Sequence, residues 1–176
     1  MKIKYENLKS GDIVFCGGNS LLAGIIRFVT AGSFRKKKDV ATHCGVVVDL
    51  YGQKLIAEMM PEGLELNSLE DYNHGGKRFI VGVGRKYLTS STENAMMKQV
   101  ALDLRKGIEY DFSGVVGFIL ATPNLEEKFY CSEYVKRLYK KCGTKLSEAS
   151  VDRVSPQDIF NGFKNGIEGE LIKFSE

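Results

Sequence analysis

The stretch from Val40 to Met60 constrains the fold of this chain more than any other. Val46, Val47 and Val48 form a β-branched run of the kind that fills a buried strand. Tyr51-Gly52 offers a turn, and Lys54 to Met60 reads as the returning strand of a hairpin. With Leu50 and Gln53 flanking a two-residue turn, position 45 faces 58 and position 43 faces 60. His43 and Glu58 then project from one face as diagonal neighbours, within reach of long side chains. A slip of one residue would send them to opposite faces, so the turn decides the pairing.

A second pattern lies far downstream, in the segment Phe129 to Gly143. Cys131, Tyr134, Val135, Leu138, Tyr139 and Cys142 recur at helical spacing and define one buried face, with lysines and an arginine on the other. Gly143 supplies a left-handed stop. Cys131 therefore sits in the first turn, where free backbone N–H groups and the positive end of the helix dipole favour a thiolate. Alone, such a cysteine is a small core hydrophobe, and a lone strand histidine or glutamate is a satisfied or solvated residue. Together, Cys131, His43 and Glu58 supply a nucleophile, a base and an orienting acid. Alternation sends Cys44 to the face opposite His43, which argues against Cys44 as the working thiol. His74, in Asn-His-Gly-Gly, reads as an exposed loop residue, and Ser132 and Glu133 as helix-capping residues.

The motifs fall in the order Gly11-Asp-Ile-Val-Phe15, Thr42-His-Cys-Gly-Val-Val-Val48, Glu58 with Gly63-Leu-Glu-Leu66, Tyr110-Asp111 and Tyr130-Cys-Ser-Glu-Tyr-Val135. In that order and spacing, over roughly residues 8 to 160, the chain resembles the YiiX/YebB-like group. These are circularly permuted relatives of the NlpC-type cysteine hydrolases within the broad papain-like fold. In unpermuted members the cysteine helix precedes the histidine strand; here the histidine comes first. The resemblance implies Cys131 as nucleophile, His43 as base, Glu58 as third polar residue and Tyr110 as a contributor near the oxyanion site. It implies a peptidase or amidase, with cell-wall peptide as one candidate substrate. A lipid acyl hydrolase or acyltransferase on the same fold, and a binding module with Cys131 merely buried, are the competing readings.

Composition limits the partners. The chain has 176 residues, enough for one substantial core and short for two, so a single domain over 1–176 is expected. The net charge is only +3, and the one dense basic run, Arg35-Lys-Lys-Lys38, lacks interleaved aromatics, so a solvated loop is expected rather than a nucleic-acid site. The N-terminus lacks the apolar core of a signal peptide, and the apolar stretch Leu21 to Ala31 is broken by Arg27 and too short to span a bilayer. The chain thus reads as cytoplasmic, although a form cropped of a leader would look the same. Four cysteines without close pairs make no disulfide framework, and there is no CxxC or HExxH signature, so no metal or other cofactor is expected. The expected partners are small peptide, amide or acyl substrates, with no nucleic acid and no integral membrane segment; the oligomeric state is left open.

The remaining elements follow from local signals. Gly11 to Phe15 is expected as a strand, Asn19 or Ser20 to Ala31 as an amphipathic helix, and 32 to 39 as a basic loop. Gly63 to Leu66 is expected to be extended, Asn67 to Tyr72 a helical turn, and Arg78 to Gly84 a strand. Ser90 to Glu93 reads as a capping box for a helix to Lys106, closed by Gly107, with Ala95, Met96, Val100, Leu102 and Leu104 inward. Asp111 to Leu120 is expected as a glycine-bearing helix, with Thr122-Pro-Asn124 breaking the chain after it. Ser155-Pro156 starts a short helix, and Glu170 to Phe174 is a terminal strand. The sum is an α+β fold: a central antiparallel sheet carrying His43 and Glu58, packed against the helix that bears Cys131.

Overall fold

The computed structural model describes residues 2–3, 5–18, 40–69, 78–110, 130–146 and 154–174. The expected helices at 19–31 and 111–120, the basic loop, the break at 122–124 and His74 lie outside them. The described elements are β1 (Lys2–Ile3), a 3₁₀ turn (Tyr5–Asn7), β2 (Ile13–Gly18), β3 (His43–Leu50), β4 (Gln53–Met60), β5 (Gly63–Ser68) and β6 (Arg78–Arg85). Helices α1 (Ser90–Lys106), α2 (Cys131–Lys141) and α3 (Pro156–Lys164) follow, and β7 (Glu170–Phe174) closes the chain. The sheet runs β1-β7-β6-β2-β3-β4-β5. It is antiparallel throughout except where β1 joins β7 in parallel. Among the described residues no helix is long and apolar enough to cross a membrane.

The hairpin that governs the fold has the two-residue turn its sequence calls for. Leu50 pairs with Gln53, and the ladder continues to Val46 opposite Ala57. Tyr51 and Gly52 both have positive φ, at 55° and 86°, the pattern of a type I′ turn matched to the twist of the strands. Asp49 Oδ1 accepts the Gly52 N–H at 2.7 Å and so holds the turn. Register follows directly from this turn.

The two faces of the sheet bury different sets. On one face Ile13, Phe15, Cys44, Val46, Val48, Ala57 and Met59 pack against all three helices. On the other, Val14, Cys16, Val47, Ile56, Val83 and Ile172 gather with Leu8 and Leu69. Phe15 meets Phe160 and Phe163 of α3 edge-on, with ring centroids 5.3 and 5.9 Å apart. Helix α2 ends in a Schellman arrangement: Gly143 at φ 77° donates to Lys140 O, and Thr144 donates to Tyr139 O.

Four local expectations are corrected. Strand β2 begins at Ile13, not Gly11, because Gly11 holds a φ of 85° that extended backbone excludes. The N-cap of α1 is Thr89, whose side chain accepts the Thr92 N–H, so no capping box forms at Ser90. The inward face of α1 carries Met96, Val100 and Asp103, whereas Ala95 and Leu102 are exposed. Finally, Asn67 and Ser68 belong to β5 rather than to a helical turn, since Leu64 and Leu66 continue the period-two alternation along β4.

A buried ion pair ties the segment just before β2 to β6. Arg85 Nε and Nη2 donate to the two Asp12 oxygens at 2.8 and 2.6 Å, and Nη2 also reaches Asn7 O at 2.9 Å. The Lys9 N–H completes the Asp12 carboxylate at 2.8 Å. Removing one partner strands a charge in the core, which costs about 3–5 kcal/mol. Asp12→Ala should therefore lower the thermal midpoint by roughly 10 °C, read by circular dichroism. The double replacement Asp12→Leu with Arg85→Met should cost less than that single change. A double variant worse than the single one would show that the pair is worth more than an apolar contact.

Candidate active site

His43 is the first residue of β3 and Cys131 the first of α2. Extending the hairpin register puts position 45 opposite 58, so His43 and Glu58 share the face of Val47 and Ile56. The two side chains meet: His43 Nε2 is hydrogen-bonded to Glu58 Oε2. Glu58 is completely buried, whereas the His43 side chain keeps 17% of its exposure. Gly45 is what makes room for this crossing. A Cβ there would lie 2.5 Å from Ile56 Cγ2 and 3.0 Å from Glu58 Cβ, so any other residue would push β4 away.

The thiol comes from the other layer. Cys131 lies in the helix-side cluster with Cys44, Tyr110 and Tyr130. Its thiol lies close enough to His43 and Cys44 to interact electrostatically with both. With Nε2 on Glu58, Nδ1 is the ring nitrogen left for the sulfur. The ring and the thiol come from opposite faces of the sheet and meet at the start of β3. Tyr130 stands at the N-cap of α2, and its side chain makes no capping bond to the first-turn N–H groups.

Electrostatics follow from these contacts. Burial pulls the His43 imidazole down, yet the Cys131 sulfur and the Glu58 carboxylate together lift it to about 9. The Cys131 thiol is held well below its ordinary range, first by the S–H donated from Cys44, then, against the cost of burial, by the His43 imidazolium. Cys44 moves the opposite way: burial and its hydrogen bond to Cys131 hold it protonated. This is the division of labour that a thiolate–imidazolium pair requires.

The structure thus brings together Cys131, His43 and Glu58. Tyr110 joins the same helix-side cluster as Cys131, with 8% of its surface exposed. Ser132 does not cap α2, since its Oγ donates to Val154 O at 2.7 Å, and Glu133 lies buried 3.7 Å from Arg137 Nε. Lys136 is buried as well, so the polar face expected for α2 is solvated only toward its C-terminal end.

Three site residues escaped the reading of the sequence. Cys44 points away from His43, and that direction is the one in which α2 and its thiol lie. Asn67 donates from Nδ2 to Glu58 Oε1 at 2.9 Å, so both oxygens of the buried carboxylate are engaged. The alternation of Leu64 and Leu66 with Glu65 and Asn67 is the signal that would have placed Asn67 on that face. Gly45 gave no signal beyond a glycine inside a strand pattern.

Comparison with known proteins agrees with the fold. A solved structure described as the metalloprotein yiiX from Escherichia coli O157:H7 superposes with a TM-score of 0.60 at 20% identity, covering 94% of this chain and 88% of that one. At that identity the likeness establishes the fold. Among the described residues of the present chain, no group of three or more His, Cys, Asp or Glu side chains is arranged to hold a metal ion. No curated protein matches the chain. Residues 7–154 match the family described as the permuted papain-like amidase enzymes, YaeF/YiiX, C92. The chain belongs to that family of permuted papain-like amidases.

Proposed function

We propose that this cysteine-type hydrolase cleaves an amide bond of a peptide through a thioester on Cys131, with His43 as proton carrier and Glu58 as its orienting partner. The observation that supports this most is a fully buried Glu58 hydrogen-bonded to a His43 ring that interacts with the Cys131 thiol. The Cys131 thiolate attacks the carbonyl carbon. The oxyanion that forms lies against the Cys131 backbone N–H at the start of α2, where the helix dipole is positive. The His43 imidazolium gives its proton to the departing amine as the C–N bond breaks. Neutral His43 then takes a proton from water, the hydroxide attacks the thioester, and Cys131 leaves as thiolate with its imidazolium restored. One amide and one water become one acid and one amine. Tyr110 stands on the helix side of this site and is assigned to the region of the oxyanion.

Activity requires the thiolate and the imidazolium together. The pair forms once pH rises above the depressed Cys131 value and is lost as pH rises through about 9, where His43 gives up its proton. The kcat/KM profile should therefore be a broad bell with its alkaline limb near 9. Cys131→Ala should reduce turnover by about 10³-fold or more while changing stability by only about 1 kcal/mol. Turnover retained in that variant would remove Cys131 from the mechanism.

Alkylation by iodoacetamide, followed residue by residue with mass spectrometry, separates thiolate chemistry from exposure. Cys142 is the most exposed of the four thiols, so exposure alone would label it first. The paired thiolate predicts that Cys131 is labelled first, and at pH values well below the free-thiol pKa of about 8.5. Cys44→Ala and His43→Ala should each move the Cys131 labelling profile to higher pH, because each removes a group that lowers its pKa. A profile that neither change moves would leave Cys131 an ordinary buried thiol.

A further inference from the structure

Strands β4 and β5 place two glutamates directly opposite one another: Glu58 pairs with Glu65. Like charges in that position repel, and here one of the two is fully buried. The residue between them is Asn67, two positions along β5 from Glu65 and on the same face. Its Nδ2 donates to Glu58 Oε1 at 2.9 Å and to Glu65 Oε2 at 3.3 Å. Two carboxylates face this amide, so its nitrogen rather than its oxygen must point at them.

We propose that Asn67 is a positioning residue that bridges Glu58 and Glu65, keeping the Glu58 carboxylate ionised and aimed at His43. This rests on the assignment of His43 and Glu58 to the reacting site. The choice of an amide has a physical reason. A lysine or arginine would also separate the two carboxylates, but its charge would cancel the field that Glu58 exerts on the imidazolium. An amide supplies two N–H bonds and no charge, so Glu58 is satisfied without being neutralised. The carboxylate then uses Oε1 for Asn67 and Oε2 for His43.

Without the bridge, Glu58 faces Glu65 with no Asn67 amide to hold the two carboxylates apart. It relieves the repulsion by taking a proton or by turning away, and either response weakens its hold on the imidazolium. The groups that face His43 are Cys131 from α2, Glu58 from β4, Cys16 opposite it on β2 and the adjacent Cys44, with Glu65 of β5 behind Glu58. Of these, Asn67 touches Glu58 and Glu65. Loss of its amide should therefore act on His43 through Glu58 and lower the imidazole pKa.

The chain has two histidines, and His74→Gln leaves His43 as the single imidazole signal in an NMR titration of the full-length protein. In that background His43 should titrate near 9, and Asn67→Leu should lower the midpoint by about one pH unit. Adding Glu65→Gln to Asn67→Leu should recover most of the shift, because the opposing charge is gone. If Asn67→Leu does not fold, Asn67→Ala removes the same amide without added bulk and reads the same midpoint. A midpoint unmoved by loss of the amide, or a shift that Glu65→Gln does not reverse, overturns the proposal. The readout requires no turnover, so it is independent of the Cys131 tests: the bridge can hold where the hydrolase mechanism fails, and the reverse.

Discussion

A carboxylate with no exposure, placed inside a sheet, dictates much of what surrounds it. Burying Glu58 is costly unless each oxygen finds a donor. One donor is the ring of His43 and the other the amide of Asn67. Both come from neighbouring strands, so the registers of β3 and β5 against β4 must hold together. Gly45 is the local consequence: with a side chain at that position, β3 and β4 could not approach closely enough for His43 to reach across. The type I′ turn at Tyr51-Gly52 is the remote one, since a slip of one residue would turn Glu58 to the helix face and leave His43 without its partner.

The thiol is activated from a different direction. Cys131 has a positive neighbour in His43, a neutral donor in Cys44, and the first-turn N–H groups of α2 beneath it. The helix end alone contributes about 0.3–1 kcal/mol, less than one pKa unit. The larger share must come from the two residues at the start of β3. Consecutive residues on a strand point to opposite faces, which lets His43 and Cys44 grip the sulfur from two sides where the strand begins. The register of β2 against β6 also shifts between Phe15 and Cys16, and Cys16 is the residue opposite His43. Irregularities of this kind re-aim side chains near active sites.

Much of this was legible in the residue pattern, and the omissions have a common cause. Hairpin turns and amphipathic stripes are local, so the β3–β4 register, the Cys131 stripe and the stop at Gly143 could be read directly. Boundaries set by tertiary contact could not. Lys136 reads as a solvated helix residue because helical periodicity describes one helix and not the layers on either side of it. Asp103 was missed for the same reason: a carboxylate on an exposed-looking face of α1 is buried against α2, where it accepts from Gln99 Nε2 at 2.7 Å and lies 3.7 Å from Lys141 Nζ. Cys44 shows a subtler limit. Strand alternation correctly gave its direction, but the sequence does not say on which face of the sheet the nucleophile's helix will lie.

That limit also explains why chain order matters so little to the chemistry. His43 precedes Cys131 by half the length of the chain, and no local segment links them. What the reaction needs is the beginning of one helix held against the beginning of one strand, with a buried carboxylate on the next strand. Each requirement is met by a contact between elements: α2 packs on β3 and β4, and β4 carries Glu58. Moving the termini of the chain changes which loops connect these elements and leaves their contacts in place. The site is a property of the layers, and a permuted sequence can build it as long as the faces that meet are the same.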